Sequence, residues 1–273
     1  MSPFGRVLAL FCLFVPTFAA VANAQTTEAD IKTRLMNKPL YLRGYWSDDN
    51  LRFDPTGHLT THSDTASFTV SGFELGNIIL KKDKLLLEGR RVGLEFSQDQ
   101  SARIPLNVGK PKEQKDERIR IEIAAPHNRD YTEALDAIFA DGLAQLAPTL
   151  PDSWQRYARQ HFYDGHTSEP ENQSFDVKPR RVGGNVTPPR VLHHVDPKFP
   201  LAARRMKYTG SCTINLWVGT DGLPTHLSIV RPCGLGLDER GLEAIQQYTF
   251  APSTQDSQPV TVELNIEVNF QTF

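Results

Sequence analysis

The stretch GSCTINLWVGTDGLPTHLSIVRPC, residues 210–233, decides the fold of the C-terminal third of this 273-residue chain. Apolar and polar residues alternate on both sides of the Asp-Gly pair at 221–222, a dipeptide that favours a tight hairpin turn. If these two residues form the whole turn, Ile214 on the first strand lies opposite Ile229 on the second. The stretch therefore predicts an antiparallel β-hairpin with one buried face.

Two cysteines, Cys212 and Cys233, lie on the two arms of this hairpin. A two-residue loop places Cys212 opposite Arg231, whereas a four-residue loop places it opposite Cys233. In either register both thiols are on the core-facing side and within one pair of each other, which suits a disulfide. We expect that disulfide, with two buried thiols as the alternative, because the chain also carries the features of an exported protein.

A helix is predicted before the hairpin, and a helix and a strand after it. Pro200 suits the first turn of the leading helix, in which Leu201, Ala203 and Met206 should face inward. A second helix opens at Asp238. The last segment, PVTVELNIEVNF at 259–270, alternates without interruption, as a half-buried strand does. The order helix, hairpin, helix, strand predicts a small sheet covered by helices on one face, with one long edge left free.

This arrangement resembles the C-terminal domain of the TonB energy-transducer family. The resemblance covers about residues 196–273, less than a third of the chain. It rests on six features in the family's order: Phe199-Pro200, the Ala and Arg run at 202–205, Gly210 before the first strand, the Asp-Gly turn at 221–222, Leu-Asp-Glu at 237–239, and the aromatic and proline residues Tyr248, Phe250 and Pro252.

The resemblance implies a periplasmic domain whose last strand pairs with a peptide of an outer-membrane receptor and which transmits force from an inner-membrane motor. A free edge strand recruits a peptide through main-chain hydrogen bonds. The partner-binding edge implied here consists of Val260, Val262, Leu264, Ile266, Val268 and Phe270. One alternative is that Glu263 and Glu267 only blunt the edge against pairing, and strand exchange between two free edges would make a homodimer.

Residues 25–163 are predicted to form a β-rich domain of unknown role. Short alternating runs separated by turn signals, such as RIRIEIAA at 118–125, indicate a mostly antiparallel sheet. One helix should open at Asp130, with an apolar stripe that continues to Leu146, and a second should follow Pro151. Both helices are expected to pack on the sheet.

The predicted fold class is therefore α+β, in two domains. A polar segment rich in glycine and proline, residues 164–190, is interpreted as a linker between the β-rich domain and the C-terminal domain at 191–273. The long, proline-rich spacer with which a transducer of the TonB family crosses the periplasm is replaced here by a folded domain and this modest linker.

The first 24 residues have the features of a cleavable signal peptide. Arg6 precedes an apolar run at 7–21, and Ala-Asn-Ala at 22–24 has the small-x-small form that a signal peptidase cuts. The mature chain is then expected to start at Gln25 in the periplasm, and a retained signal would anchor it in the inner membrane.

Charge excludes one class of partner. The chain has 30 Lys and Arg against 32 Asp and Glu, a formal net charge of −2, and so lacks the basic excess that binding to a phosphate backbone requires. Nucleic acid is therefore not an expected partner.

Several groups of polar residues suggest sites but are better explained by structural roles. His193 and His194 point to opposite sides of an extended chain and do not make a metal site. The run His-Ser-Asp at 62–64 cannot adopt the geometry of a catalytic triad, and Gly-Leu-Gly at 234–236 is interpreted as a loop. Trp46 is expected in an aromatic cluster, with a ligand cleft as the alternative.

We therefore predict no enzymatic activity, no metal and no cofactor. The predicted function is that of an exported TonB-like protein that docks protein partners through its C-terminal domain, related to energy transduction to outer-membrane receptors. The alternative is a cell-envelope scaffold or binding protein that uses the same kind of domain without coupling to a motor.

Overall fold

The computed structural model describes residues 25–97, 100–110, 112–163 and 178–271. The predicted signal peptide at 1–24 and residues 164–177 of the predicted linker lie outside this part of the chain. Among the described residues, no helix combines the length and the apolar character that a membrane crossing requires.

The N-terminal part is built around one large sheet. Its elements, in chain order, are α1 Glu28–Leu35, β1 Leu40–Leu42, β2 Asn50–Phe53, β3 Gly72–Leu80, β4 Lys84–Ser97, β5 Gln100–Pro105, β6 Asn107–Val108, β7 Lys115–Asp116, β8 Arg118–Ala124, α2 Thr132–Ile138, β9 Phe139–Asp141, α3 Leu143–Leu146 and α4 Asp152–His161, with short 3-10 turns at Phe68–Val70 and Ala147–Thr149. The sheet runs β2-β8-β4-β3-β1-β9, with β5 added to β4, and all its pairs are antiparallel except β2 with β8.

The helix predicted from Asp130 to Leu146 is wrong in its length. Asp130 does accept the backbone N–H of Thr132 at 2.9 Å near the helix start, but the helix ends at Ile138 and the chain continues as strand β9. The physical reason is that β1 leaves an edge on which β9 pairs, and this long-range pairing overrides the local helical stripe. Gly142, with φ of +90°, then turns the chain into α3.

Helix α1 was missed by the sequence analysis, although it carries a start signal. The Thr27 side chain accepts the N–H of Asp30 while the Asp30 carboxylate accepts the N–H of Thr27, a reciprocal capping arrangement. The helix buries Ile31 and Leu35 in the core beside the large sheet.

The C-terminal part follows the predicted order of helix, hairpin, helix and strand. Its elements are β10 Arg180–Arg181, β11 Arg190–His193, α5 Leu201–Met206, β12 Gly210–Val218, β13 Pro224–Arg231, α6 Leu237–Ile245, β14 Thr249–Ala251, β15 Ser253–Gln255, β16 Gln258–Val260 and β17 Val262–Phe270. Strand order is β10-β17-β12-β13, and β11 with β14 and β15 with β16 form two small ladders. In α5 only Ala203 is buried, and Leu201, which was expected to face inward, is 54% exposed.

The hairpin adopts neither predicted register throughout. Ile214 lies opposite Ile229, as a two-residue loop requires, but irregularities on both sides shift the pairing so that Thr213 lies opposite Arg231. The shift brings Cys212 and Cys233 together in a disulfide, with their Cα atoms 5.0 Å apart. The irregular pairing therefore lets the two cysteines meet although neither register that the sequence left open holds throughout.

The described end of the predicted linker is bound to the C-terminal sheet system. Arg180 N–H donates to the carbonyl of Thr261 at 2.9 Å, and Thr187 N–H donates to the carbonyl of Thr254 at 2.9 Å. Val186 is 8% exposed and bridges to Gln255. Residues 178–190 thus differ from the expected unstructured spacer because their backbone groups find partners on β15 and at the start of β17.

The two predicted domains share a hydrophobic core. One cluster joins Phe68, Leu94, Phe96 and Trp154 from the N-terminal part to Leu235 and the inner face of β12 from the C-terminal part. Leu235 is fully buried, and its N–H donates to the carbonyl of Leu94 at 3.1 Å. The loop at 234–236 therefore connects the two parts by inserting Leu235 into their shared core.

Candidate functional site

Strand β17 is the centre of the candidate site. It pairs with β12 over its whole length without a register shift, from Val262 opposite Val218 to Phe270 opposite Gly210. On its other side, the described residues contribute only Arg180 and Arg181, which pair with Val262 and Glu263 in parallel. From Leu264 to Phe270, no described strand lies against this side.

The opposite edge of the same sheet is covered. Helix α4, from the N-terminal part, packs along β13. From α4, Trp154 donates its indole N–H to Glu239 Oε1 of α6 at 3.1 Å, and Arg156 reaches Glu263 of β17 at 3.7 Å. Helix α4 thus lies along one edge of the C-terminal sheet, and within the described ranges only β10 pairs with the other.

The direction of the backbone groups identifies which residues of β17 face the open edge. Thr261 accepts the hydrogen bond from Arg180, so its carbonyl points away from β12. Backbone groups of alternate residues in a strand point to the same side. The residues whose N–H and C=O point away from β12 are therefore Glu263, Asn265, Glu267 and Asn269. Glu263 lies against β10, and the other three face the open part of the edge.

This result corrects the predicted site in two ways. Val262, Leu264, Ile266, Val268 and Phe270 direct their backbone groups to β12, and Val262, Val268 and Phe270 are buried in the core. Val260 is not part of the strand: it belongs to β16 and pairs with Ser253. The backbone groups of the apolar residues of β17 face β12, and those of the intervening polar residues face away from it.

The outer face of β17 carries two carboxylates. The Glu267 carboxylate accepts a hydrogen bond from Ser211 Oγ at 2.6 Å, and Glu263 forms an ion pair with Arg156 at 3.7 Å. Between them, the Asn265 side-chain oxygen accepts a hydrogen bond from Asn215 Nδ2 at 2.8 Å. The face next to the open edge is therefore polar and acidic, with its side chains held by β12 and α4.

The disulfide is linked to a buried carboxyl group. The Asp238 carboxylate accepts the backbone N–H of Cys233 at 2.8 Å and that of Gly234 at 2.7 Å. Burial, followed by the neighbouring Glu239 carboxylate, raises the pKa of Asp238 to about 7. Burial also raises the pKa of Glu239. Asp238 thus holds the loop at 233–236, which carries Leu235 into the N-terminal part.

The remaining sequence candidates are dispersed. His193 is exposed in β11, and the ring of His194 lies 6.2 Å from that of Tyr248. Trp46 packs edge-to-face on Phe53 with ring centroids 4.9 Å apart, which is an aromatic cluster. In the basic run, Arg205 reaches Glu117 of the N-terminal part at 3.3 Å.

Metal-ligand atoms converge at one place in the described part of the chain. Cys212, Cys233 and Asp238 bring one ligand atom each within 4.8 Å of one another. Because the two sulfurs are bonded to each other, only the carboxylate of Asp238 could contribute to coordination, and zinc takes three or four ligands. This cluster is a structural disulfide with a buried carboxyl group beside it.

Three comparisons with known proteins each match part of the chain. Residues 195–272 match the family model described as the C-terminal domain of the Gram-negative bacterial TonB protein. Protein TonB of Vibrio cholerae is 29% identical over 85 residues, which is 31% of this chain and 35% of that protein, so the chain matches about a third of this relative's length. The solution NMR structure of the Pseudomonas aeruginosa TonB CTD matches with 14% identity and a TM-score of 0.27, covering 33% of this chain and 89% of that one.

Proposed function

We propose that this chain, which carries a TonB C-terminal domain at residues 195–272, docks an extended segment of another cell-envelope protein on the open edge of β17. The observation that supports this proposal is the asymmetry of the C-terminal sheet. Helix α4 covers the β13 edge, whereas the β17 edge meets only Arg180 and Arg181 among the described residues. An unpaired edge offers a row of backbone donors and acceptors to an incoming strand.

The incoming segment would bind mainly through its backbone. Asn265, Glu267 and Asn269 would exchange N–H···O=C bonds with it, while Val268 and Phe270 hold β17 in the core. Because β12 and the disulfide fix β17 before the partner arrives, little ordering of this strand opposes binding.

The similarity of residues 195–272 to the TonB C-terminal domain supports the proposed partner class. A TonB-like domain favours an outer-membrane receptor and a role related to energy transduction, with the chain exported to the periplasm and starting at Gln25. A scaffold without motor coupling is the second candidate. The observation that favours it is the core shared by the two parts, because Leu235 and Trp154 tie the docking edge to a folded β domain.

A matched pair of substitutions tests the docking edge. Asn265→Pro removes an N–H that points to the open edge, whereas Asn265→Ala loses the same side-chain contact with Asn215 and keeps that N–H. With peptides from receptor N-terminal segments, we expect Asn265→Pro to weaken binding about tenfold or more relative to Asn265→Ala in fluorescence anisotropy. Equal binding by the two variants would refute docking at this edge.

A folding control separates docking from stability. Ile266→Pro removes a hydrogen bond to β12, so it should lower the melting temperature, whereas Asn265→Pro should leave the fold intact by circular dichroism.

To separate transducer from scaffold, partners can be cross-linked to the edge in cells before and after the proton gradient is collapsed. A gradient-dependent pattern supports transduction, and an unchanged pattern supports the scaffold.

A further inference from the structure

Strand β10 is an internal occupant of the docking edge. Arg180 N–H donates to the Thr261 carbonyl at 2.9 Å, and the parallel register places Arg181 directly opposite Glu263. Residues directly opposite in a ladder carry their side chains on the same face, so Arg181 lies on the face of the sheet that carries the Glu263 carboxylate.

This internal strand is short, and few contacts hold it within the part of the chain that the structure describes. It has two residues, both exposed, and the chain then turns away through Gly183 and Gly184, which have φ of +126° and +62°. A Cβ at either glycine would meet no atom within 4 Å, so the turn lies in open space. After the glycines, the Asn185 side-chain amide lies 3.4 Å from a carboxylate oxygen of Asp256, and Val186 and Thr187 contact Gln255 and Thr254. A segment with so few contacts opens at low free-energy cost.

Beyond β10, the edge strand carries a second carboxylate, Glu267, on the same face as Glu263. Continuing the register from Arg181 opposite Glu263, the next positions on that face of a parallel strand lie opposite Asn265 and Glu267. The two carboxylates are four residues, or about 13 Å, apart along β17. Arg156 approaches Glu263 at 3.7 Å, which leaves acceptor positions on that carboxylate for a second cation.

We infer that the edge of β17 selects an extended segment with Lys or Arg four residues apart, and that Arg180-Arg181 is an internal strand that this segment displaces. The inference rests on the proposed docking function and names the chemistry of its partner. The two cations of the partner meet Glu263 and Glu267, and the first of them takes the place of Arg181. The internal strand thereby sets a threshold that a weakly basic or acidic segment does not overcome.

Two peptides that differ only in charge test the selectivity. The first is Thr-Lys-Val-Thr-Val-Lys-Val-Thr and the second has Glu in place of both Lys. Against the full exported chain, we expect the Lys peptide to bind about tenfold more tightly at low salt, with Glu267→Gln reducing its affinity about two- to fivefold. Glu243→Gln on α6 is the matched control, because it removes the same charge away from the edge.

A second pair of variants tests the internal strand itself. Arg180→Pro and Arg180→Ala lose the same side chain, but only the proline loses the N–H that donates to Thr261. We expect Arg180→Pro to bind the Lys peptide several-fold more tightly than Arg180→Ala. Equal affinities of these two variants would overturn the displacement.

The outcomes separate this inference from the proposed function. If both peptides bind equally and Asn265→Pro abolishes the binding of both, docking stands and basic selectivity is wrong. If Asn265→Pro changes the affinity for neither peptide, or if neither these peptides nor receptor segments bind, the docking function fails and the inference fails with it.

A Lys peptide N-methylated at alternate residues provides a check that needs no protein variant, because it should lose binding if pairing is through the backbone.

Discussion

Gly234 lies against the backbone of Leu94, so close that a Cβ on this glycine would stand 2.2 Å from the Leu94 carbonyl oxygen. The two residues come from the two parts of the chain, and Leu235 enters the N-terminal core immediately after this contact. Because Gly234 also has φ of +87°, no other residue fits this place without strain.

Substitution of this glycine should destabilise the whole protein. Gly234→Ala adds a backbone clash to the cost of a left-handed residue, and we expect a loss of about 2–4 kcal/mol in the free energy of unfolding. Gly184→Ala is the matched control, because its φ is +62° and its Cβ would meet nothing within 4 Å. Urea unfolding measures both. Equal losses would mean that the contact with Leu94 is not part of the stable structure.

Stability should fall as the pH rises from about 4 to 7. The pKa of Asp238 is 3.8 in the unfolded reference and is raised to about 7 in the fold, so the folded state holds the proton more tightly over this window. Its contribution is complete below the unfolded value and is lost as the pH rises through the folded value, with a slope on the order of 1 kcal/mol per pH unit.

Asp238→Asn should flatten this dependence, although it also costs stability because an amide cannot accept both backbone N–H groups. Asp130→Asn is the control. Hydrogen bonds from Thr132 lower the pKa of Asp130, so its contribution is lost only as the pH falls below about 4. Denaturant midpoints at several pH values from 4 to 8 measure this dependence. If stability falls with pH as steeply in Asp238→Asn as in the wild type, Asp238 is not the group responsible.

The disulfide should contribute about 3 kcal/mol to stability, by constraining the unfolded loop between Cys212 and Cys233. The double variant Cys212→Ala with Cys233→Ala should unfold at correspondingly lower urea concentration. Alkylation followed by mass spectrometry should detect no free thiol in the exported protein without reductant. Two alkylated cysteines would show that the bond does not form in the cell.

Self-association through the open edge should be weak. In the antiparallel register centred on Asn265, Glu263 of one copy lies opposite Glu267 of the second copy, twice by symmetry, and like charges directly opposite are destabilising. We expect a monomer at micromolar concentration in sedimentation velocity. Glu267→Lys turns both contacts into opposite-charge pairs and should raise the dimer fraction, with Glu243→Lys as a control of equal charge change. A stable wild-type dimer would contradict this account.

The free edge strand was predictable in outline, but the residues whose backbone groups face that edge were not. Alternation at 259–270 indicated a half-buried strand and correctly placed Val262, Val268 and Phe270 in the core. The partner-binding edge was assigned to these apolar residues, because the alternation of side chains shows which face of a strand is buried. Which backbone groups remain unpaired depends on the partner strand, and the hydrogen bond between Arg180 and Thr261 was needed to assign them.

The sequence by itself determined the C-terminal module: the hairpin and its cysteines, the helix at Asp238 and the final strand, because each is encoded by turn residues and periodicity within a few positions. Only the tertiary structure decided that β9 interrupts a helical stripe and that Leu235 joins the two parts. It also decided that α4 packs along β13, while among the described strands β17 has only the short β10 on its outer side. These features depend on which distant elements meet. A local pattern predicts which face of a strand is buried, but the strand or helix that covers its edge comes from a distant part of the chain.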